Sequence, residues 1–149
     1  MNAVKQILLV EDSPADAEMT LEALMANHVV NEVVVVEDGA LAMDYLKRQG
    51  TYLERAPGNP AAILLDLKMP KMDGLEVLRE IRADEKLRLI PVVMLTSSEE
   101  EGDLVRSYQL GANGYVVKPL DFGEFASVVA SLGVFWAAVN KPPPSPRAS

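Results

Sequence analysis

The strongest constraint on this 149-residue chain is a set of five short, nearly unbroken apolar runs. They are Ile7-Leu8-Leu9-Val10, Val33 to Val36, Ala62-Ile63-Leu64-Leu65, Val92-Val93-Met94-Leu95 and Tyr115-Val116-Val117. None alternates apolar with polar, so each reads as a strand buried on both faces of a parallel sheet. Helical segments with recognisable starts lie between them. Ser13-Pro14-Ala15-Asp16 offers a cap, a proline at the first helical position and an early acid. Asp38-Gly39 and Asp73-Gly74 open two more, and Ser98 followed by Glu99, Glu100 and Glu101 opens a fourth. Asp121, with Glu124 three residues on, opens the last. The reading is βα repeated five times, an α/β domain of three layers with right-handed crossovers.

Two stretches fall outside this alternation. Gln49 to Pro60 is a polar connection, longer than most loops between a helix and a strand. Lys141 to Ser149, with Pro142-Pro143-Pro144, cannot be helical and is expected to be extended or disordered. The expected organisation is one domain over residues 1–140 and a Pro-rich disordered tail over 141–149.

Composition narrows the chemistry. Without cysteine there are no disulfides and no thiolate metal sites. A net charge of −8 opposes nucleic-acid binding, which depends on neutralising phosphates. No export signal is visible at the start, and no apolar stretch approaches the ~20 residues of a membrane span. A cytoplasmic protein is expected.

The polar residues directly after the apolar runs are more telling. The first run ends in Glu11-Asp12, the third in Asp66, the fourth in Thr96-Ser97 and the fifth in Lys118-Pro119. In a parallel sheet all carboxyl ends share one edge, and ligands bind where the strand order reverses. The flavodoxin-like order 2-1-3-4-5 puts that reversal between the first and third strands. Glu11, Asp12 and Asp66 then share one crevice, with Thr96 and Lys118 on its far wall. Two carboxylates ~5 Å apart repel by roughly 3 kcal/mol at an effective dielectric near 20, so three of them need a cation. Oxygen ligands without His or Cys select Mg²⁺ or Mn²⁺. A carboxylate beside such an ion, with lysine and hydroxyl donors opposite, suits phosphoryl transfer onto that carboxylate. Taken singly, Thr96 or Lys118 would more often be structural or solvated. Their coincidence at four strand ends favours a site.

These residues resemble the receiver domains of bacterial response regulators, chemotaxis-receiver-like in form, over roughly residues 5 to 132. The resemblance rests on Val10-Glu11-Asp12, on Leu65-Asp66-Leu67-Lys68-Met69-Pro70 running to Met72-Asp73-Gly74, and on Leu95-Thr96-Ser97. Gly111-Ala112 and Tyr115-Val116-Val117-Lys118-Pro119 complete it. It implies Asp66 as phosphoacceptor, with Glu11, Asp12, Asp66 and the Lys68 backbone carbonyl holding Mg²⁺. Lys118 would pair with the phosphoryl group, Thr96 would bond it, and Tyr115 would swing inward as Thr96 moves. Lys118-Pro119 would be a cis peptide that aims the lysine, and Gly74 would permit the tight turn after the acceptor strand. Glu11 stands where Asp is more common, and Lys68 places a cation at the crevice mouth.

The long connection at 49–60 and the ending Val134-Phe135-Trp136 look like the single-domain regulators paired with phytochrome kinases. That implies a sensor histidine kinase as phosphodonor and a separate protein as target. About ten residues follow the last helix, too few for an output module, and no enzyme activity beyond self-phosphorylation and dephosphorylation is expected. Phe122, Phe125, Val129, Leu132, Trp136 and Val139 form one apolar stripe. Trp136, with Phe135 beside it, should stand exposed at its end, so a homodimer through the fourth helix, fifth strand and fifth helix is expected. The sole histidine, His28, reads as a surface residue rather than a phosphodonor. A Mg²⁺-dependent phosphohydrolase with an aspartyl-phosphate intermediate is the alternative. Such an enzyme wants an acid two residues after the nucleophile, where this chain has Lys68. A pseudo-receiver that only binds proteins is a third reading, opposed by the intact Glu11, Asp12, Asp66, Thr96 and Lys118.

Overall fold

A computed structural model describes residues 6–26, 30 and 32–146; His28 lies outside the described residues. Five strands, β1 (Gln6–Val10), β2 (Glu32–Val36), β3 (Ala62–Leu65), β4 (Val92–Thr96) and β5 (Gly114–Val117), form one parallel sheet ordered β2-β1-β3-β4-β5. Helices α1 (Pro14–Met25), α2 (Gly39–Lys47), α3 (Gly74–Ala83), α4 (Glu101–Gln109) and α5 (Phe122–Val134) alternate with them. This is the three-layer, flavodoxin-like architecture expected.

Strand periodicity divides the core in two. Leu8, Val10, Ile63, Leu65, Val92 and Met94 pack against Val77, Leu78 and Ile81 of α3 and Ala42 and Met43 of α2. Ile7, Leu9, Leu64, Val93 and Leu95 face Leu24 of α1 and Phe125 and Val129 of α5. Each fully buried aliphatic side chain contributes about 1.5–3 kcal/mol. The central strands are buried on both faces, whereas the edge strands β2 and β5 are mostly half-buried.

Caps define the helix starts. Ser13, Asp38, Asp73 and Asp121 each accept a backbone N–H three residues on. The α4 start departs from expectation. Its N-cap is Glu100, without a side-chain cap bond, while Ser98 Oγ accepts the Glu100 N–H at 3.3 Å and donates to Asp103. The connection after α2 holds a 3-10 turn at Gly50–Tyr52. It is pinned by Arg55, which donates to the carbonyls of Tyr45, Ala56 and Gly58 and stacks over the Tyr45 ring.

The C-terminal region corrects one expectation. After α5 the helix continues as a π-helical turn, Phe135–Val139. The wider turn rotates the end of the helix, so Ala137 is buried and Trp136 packs against the second core layer rather than standing free. Phe135, Phe122 and Val139 are the exposed members, and the Phe135 ring meets Trp136 edge-on at 4.9 Å. Residues 141–146 carry neither helix nor strand, and the Asn59 N–H donates to Ser145 Oγ at 2.9 Å. Residues 147–149 of the expected tail lie outside the described residues.

The continuous helix also corrects the expectation that no apolar stretch approaches the length of a membrane span. Phe122–Val139 is 18 residues with mean hydropathy 1.6, enough to pass for a membrane span by length and composition. Its charge is confined to Glu124. Phe125, Val129 and Ala137, however, are packed into the second core layer of the domain.

Candidate functional site

The site grows out of the sheet register. Val10 pairs with Leu65, so β1 and β3 end side by side. The next residues prolong the ladder: the Asp66 N–H donates to the Val10 carbonyl and the Glu11 N–H to the Val36 carbonyl, both at 3.0 Å. On the other side Thr96 pairs with Val117, and the Lys118 N–H donates to the Thr96 carbonyl at 2.7 Å. The chain thus delivers Glu11, Asp66 and Lys118 to the same sheet edge on rigid backbone.

Carboxylate oxygens of Glu11, Asp12 and Asp66 lie within 4.8 Å of one another. Glu11 is 3% exposed and Asp66 8%, while Asp12 faces solvent. Lys118, 9% exposed, puts its Nζ 2.5 Å from Glu11 Oε1, 3.0 Å from Asp16 Oδ2 and 3.7 Å from Asp66 Oδ2. Glu11 Oε2 accepts the Ser13 N–H at 3.1 Å, and Asp66 Oδ1 accepts the Leu67 N–H at 2.8 Å. Burial pushes the Glu11 carboxyl up to about 7, and the negative charge of Asp66 adds to it; hydrogen bonds from Lys118 and Ser13 work the other way. Burial alone would lower the Lys118 ammonium, but bonds to Glu11 and Asp16 and the charge of Asp66 hold it above its usual value. One ammonium among four carboxylates leaves a negative excess. An oxygen-only donor set with that excess fits Mg²⁺ or Mn²⁺.

Thr96 and Tyr115 are joined to each other through Ser98 rather than to Asp66. The Ser98 N–H donates to Thr96 Oγ1 at 3.2 Å, and the Tyr115 hydroxyl donates to the Ser98 carbonyl at 3.0 Å. Ser98 Oγ donates to Asp103 Oδ2 at 2.6 Å. Asp103 is 2% exposed, and it also receives Arg106 at 2.6 Å and the Lys68 ammonium at 3.9 Å. Its carboxyl is held below the usual range, first by the Ser98 hydrogen bond. The Lys68 side chain therefore faces α4. Phe135 and Trp136 lie at the end of α5, outside this cluster.

Two expectations about the backbone change. The Lys118–Pro119 bond is trans, as is every described peptide bond. Trans is favoured for X–Pro by about 0.5–1 kcal/mol, and the lysine reaches the crevice through its side chain while its N–H extends the β4–β5 ladder. Gly74 serves by lacking a side chain, since a Cβ there would overlap the Asp66 carbonyl oxygen. The left-handed residue of the β3–α3 loop is Lys71, at φ 66°, which also pairs with the buried Asp38 at 3.6 Å.

Asp16, Ser98 and Asp103 escaped the sequence reading. Asp16 was visible only as an acid in a first helical turn and Ser98 as a helix start, and Asp103 was not singled out.

Comparison with known proteins agrees with this geometry. The response regulator receiver domain family matches residues 7–130. The response regulator Rcp1 of Synechocystis sp. is 43% identical over 135 residues, 91% of this chain and 90% of its own length. The crystal structure of the Mn²⁺-bound form of a response regulator Rcp1 superposes with a TM-score of 0.87 at 40% identity, covering 93% of this chain and 99% of that one. The phosphorylated cyanobacterial phytochrome response regulator RcpA gives a TM-score of 0.89 at 42% identity, covering 95% and 99%. The bacteriophytochrome response regulator RtBRR is 58% identical with a TM-score of 0.76, covering 95% and 86%. The chain belongs to the response regulator receiver domain family. Its likeness extends to the phytochrome-associated members.

Proposed function

We propose that this protein is a cytoplasmic, single-domain phosphorylation switch that takes a phosphoryl group from a phytochrome-type histidine kinase onto Asp66. The observation that carries this is the convergence of Glu11, Asp12 and Asp66 within 4.8 Å, with the Lys118 ammonium against them. An Asp66 carboxylate oxygen forms the new bond to phosphorus as the P–N bond of the donor breaks. The imidazole leaves with the electron pair. Glu11, Asp12 and Asp66, with the Lys68 carbonyl, would hold Mg²⁺ or Mn²⁺, which supplies charge neutralisation on the phosphoryl oxygens.

Lys118 then pairs with the phosphoryl group. The Thr96 hydroxyl, which accepts the Ser98 N–H, turns to donate its O–H to a phosphoryl oxygen, and Tyr115, which donates to the Ser98 carbonyl, follows. The signal reaches the α4-β5-α5 face, where Leu104, Val105, Tyr108, Leu120, Phe122 and Phe135 are exposed. That face is the proposed homodimer and target surface. The protein acts on its own acyl phosphate and on no other substrate. Labelling with acetyl phosphate and Mg²⁺ tests the core of this reading: Asp66→Asn should abolish incorporation, and persistent labelling would move the acceptor elsewhere. The phosphohydrolase alternative predicts turnover of an added phosphomonoester.

A further inference from the structure

Lys118 is not poised on the acceptor. Its ammonium hydrogen-bonds Glu11 and Asp16, at 2.5 and 3.0 Å, whereas Asp66 at 3.7 Å is beyond hydrogen-bond range. Glu11 belongs to the carboxylate cluster suited to a divalent ion; Asp16 does not. Asp16 is held firmly. Its N–H donates to Ser13 Oγ at 3.3 Å, and its carbonyl accepts the Thr20 hydroxyl at 2.6 Å. Its carboxylate also sits in the first turn of α1, where the helix dipole favours negative charge. Yet its side chain is 33% exposed, so its grip on the lysine is that of a screened, releasable ion pair.

We propose that Asp16 is a positioning residue that competes with the phosphoryl group for Lys118. It keeps the ammonium on the α1 side of the crevice until a phosphoryl group on Asp66 outcompetes it. This rests on the receiver reading and adds a residue to it. The phosphoryl group offers several charged oxygens beside Asp66, where the lysine already stands 3.7 Å away. A small swing of the side chain breaks one ion pair and makes another. Asp16 thereby sets how readily the switch turns.

The test is calorimetric titration of the full chain with beryllofluoride, a non-covalent phosphoryl mimic, in saturating Mg²⁺. Removing the competitor by Asp16→Ala should tighten binding roughly three- to tenfold, the span expected for a partly exposed charged hydrogen bond. Asp16→Asn, close in shape, should move affinity the same way and guards against a folding artefact. The decisive comparison uses Lys118→Ala, in which adding Asp16→Ala should change nothing. Unchanged or weaker binding in both Asp16 variants would overturn the proposal. An equal gain in the Lys118→Ala background would also overturn it, because the effect would then be general charge removal. Wild-type protein that binds no beryllofluoride would sink the receiver reading and this inference with it.

Discussion

Ser98 and Asp103 are joined by a 2.6 Å hydrogen bond that ties the loop after β4 to the body of α4. Ser98 also holds Thr96 through its N–H and Tyr115 through its carbonyl. The loop that carries both contacts is thus restrained by one buried carboxylate.

Replacing Asp103 by Asn should therefore cost about 1–3 kcal/mol of stability, as the loss of a buried charged hydrogen bond does. The pH dependence has a definite sign. A carboxyl depressed in the folded state stabilises above its unfolded value of 3.8, and that stabilisation is lost as pH falls through the folded value. Urea unfolding of wild type and Asp103→Asn between pH 2 and 6 should converge at the acid end. Parallel curves would remove Asp103 from the account.

Metal binding should depend on pH near neutrality. The Glu11 carboxyl is raised to about 7, so a divalent ion displaces a proton below that value. Mg²⁺ affinity should rise by up to about tenfold per unit as pH climbs from 5 toward 7, then level off. Calorimetry in buffers of different ionisation enthalpy would reveal the released proton. A flat profile would contradict the assignment of Glu11 as a ligand.

Gly74→Ala should destabilise the domain by about 1–3 kcal/mol, the usual range for overpacking against a fixed backbone. The new methyl group would meet the Asp66 carbonyl and the Leu67 Cα. Mg²⁺ affinity and labelling of Asp66 should fall with stability, since the displaced residue is the proposed acceptor. Thermal unfolding together with acetyl phosphate labelling checks both.

The two aromatic residues at the end of α5 should separate in experiment. Phe135 is 46% exposed, so Phe135→Ala should leave the melting temperature nearly unchanged while weakening self-association at micromolar concentration. Trp136 packs against the second core layer, so Trp136→Ala should lower stability first. Light scattering coupled to size exclusion distinguishes the cases. A wild-type chain that elutes as a monomer with and without phosphorylation would refute the dimer.

Much of the fold was legible in the sequence because burial on both faces leaves unbroken apolar runs, and a parallel sheet sends the residues after them to one edge. Glu11, Asp66 and Lys118 were found for that reason. Asp16 was not, since its partner lies 102 residues away and an acid in a first helical turn reads the same whether it caps or grips. Ser98 read as a cap because its bond to Asp103 has no local signature. The fate of Trp136 turned on a π-helical widening that side-chain periodicity does not report.

The Asp66 N–H is bonded to the Val10 carbonyl, which carries the β1–β3 ladder one residue past the end of β3. Under the proposed phosphorylation, the added charge lands beside a main chain already locked into the sheet. The side chains and the loop across the crevice, where Thr96 and Ser98 sit, are then what is left to accommodate it.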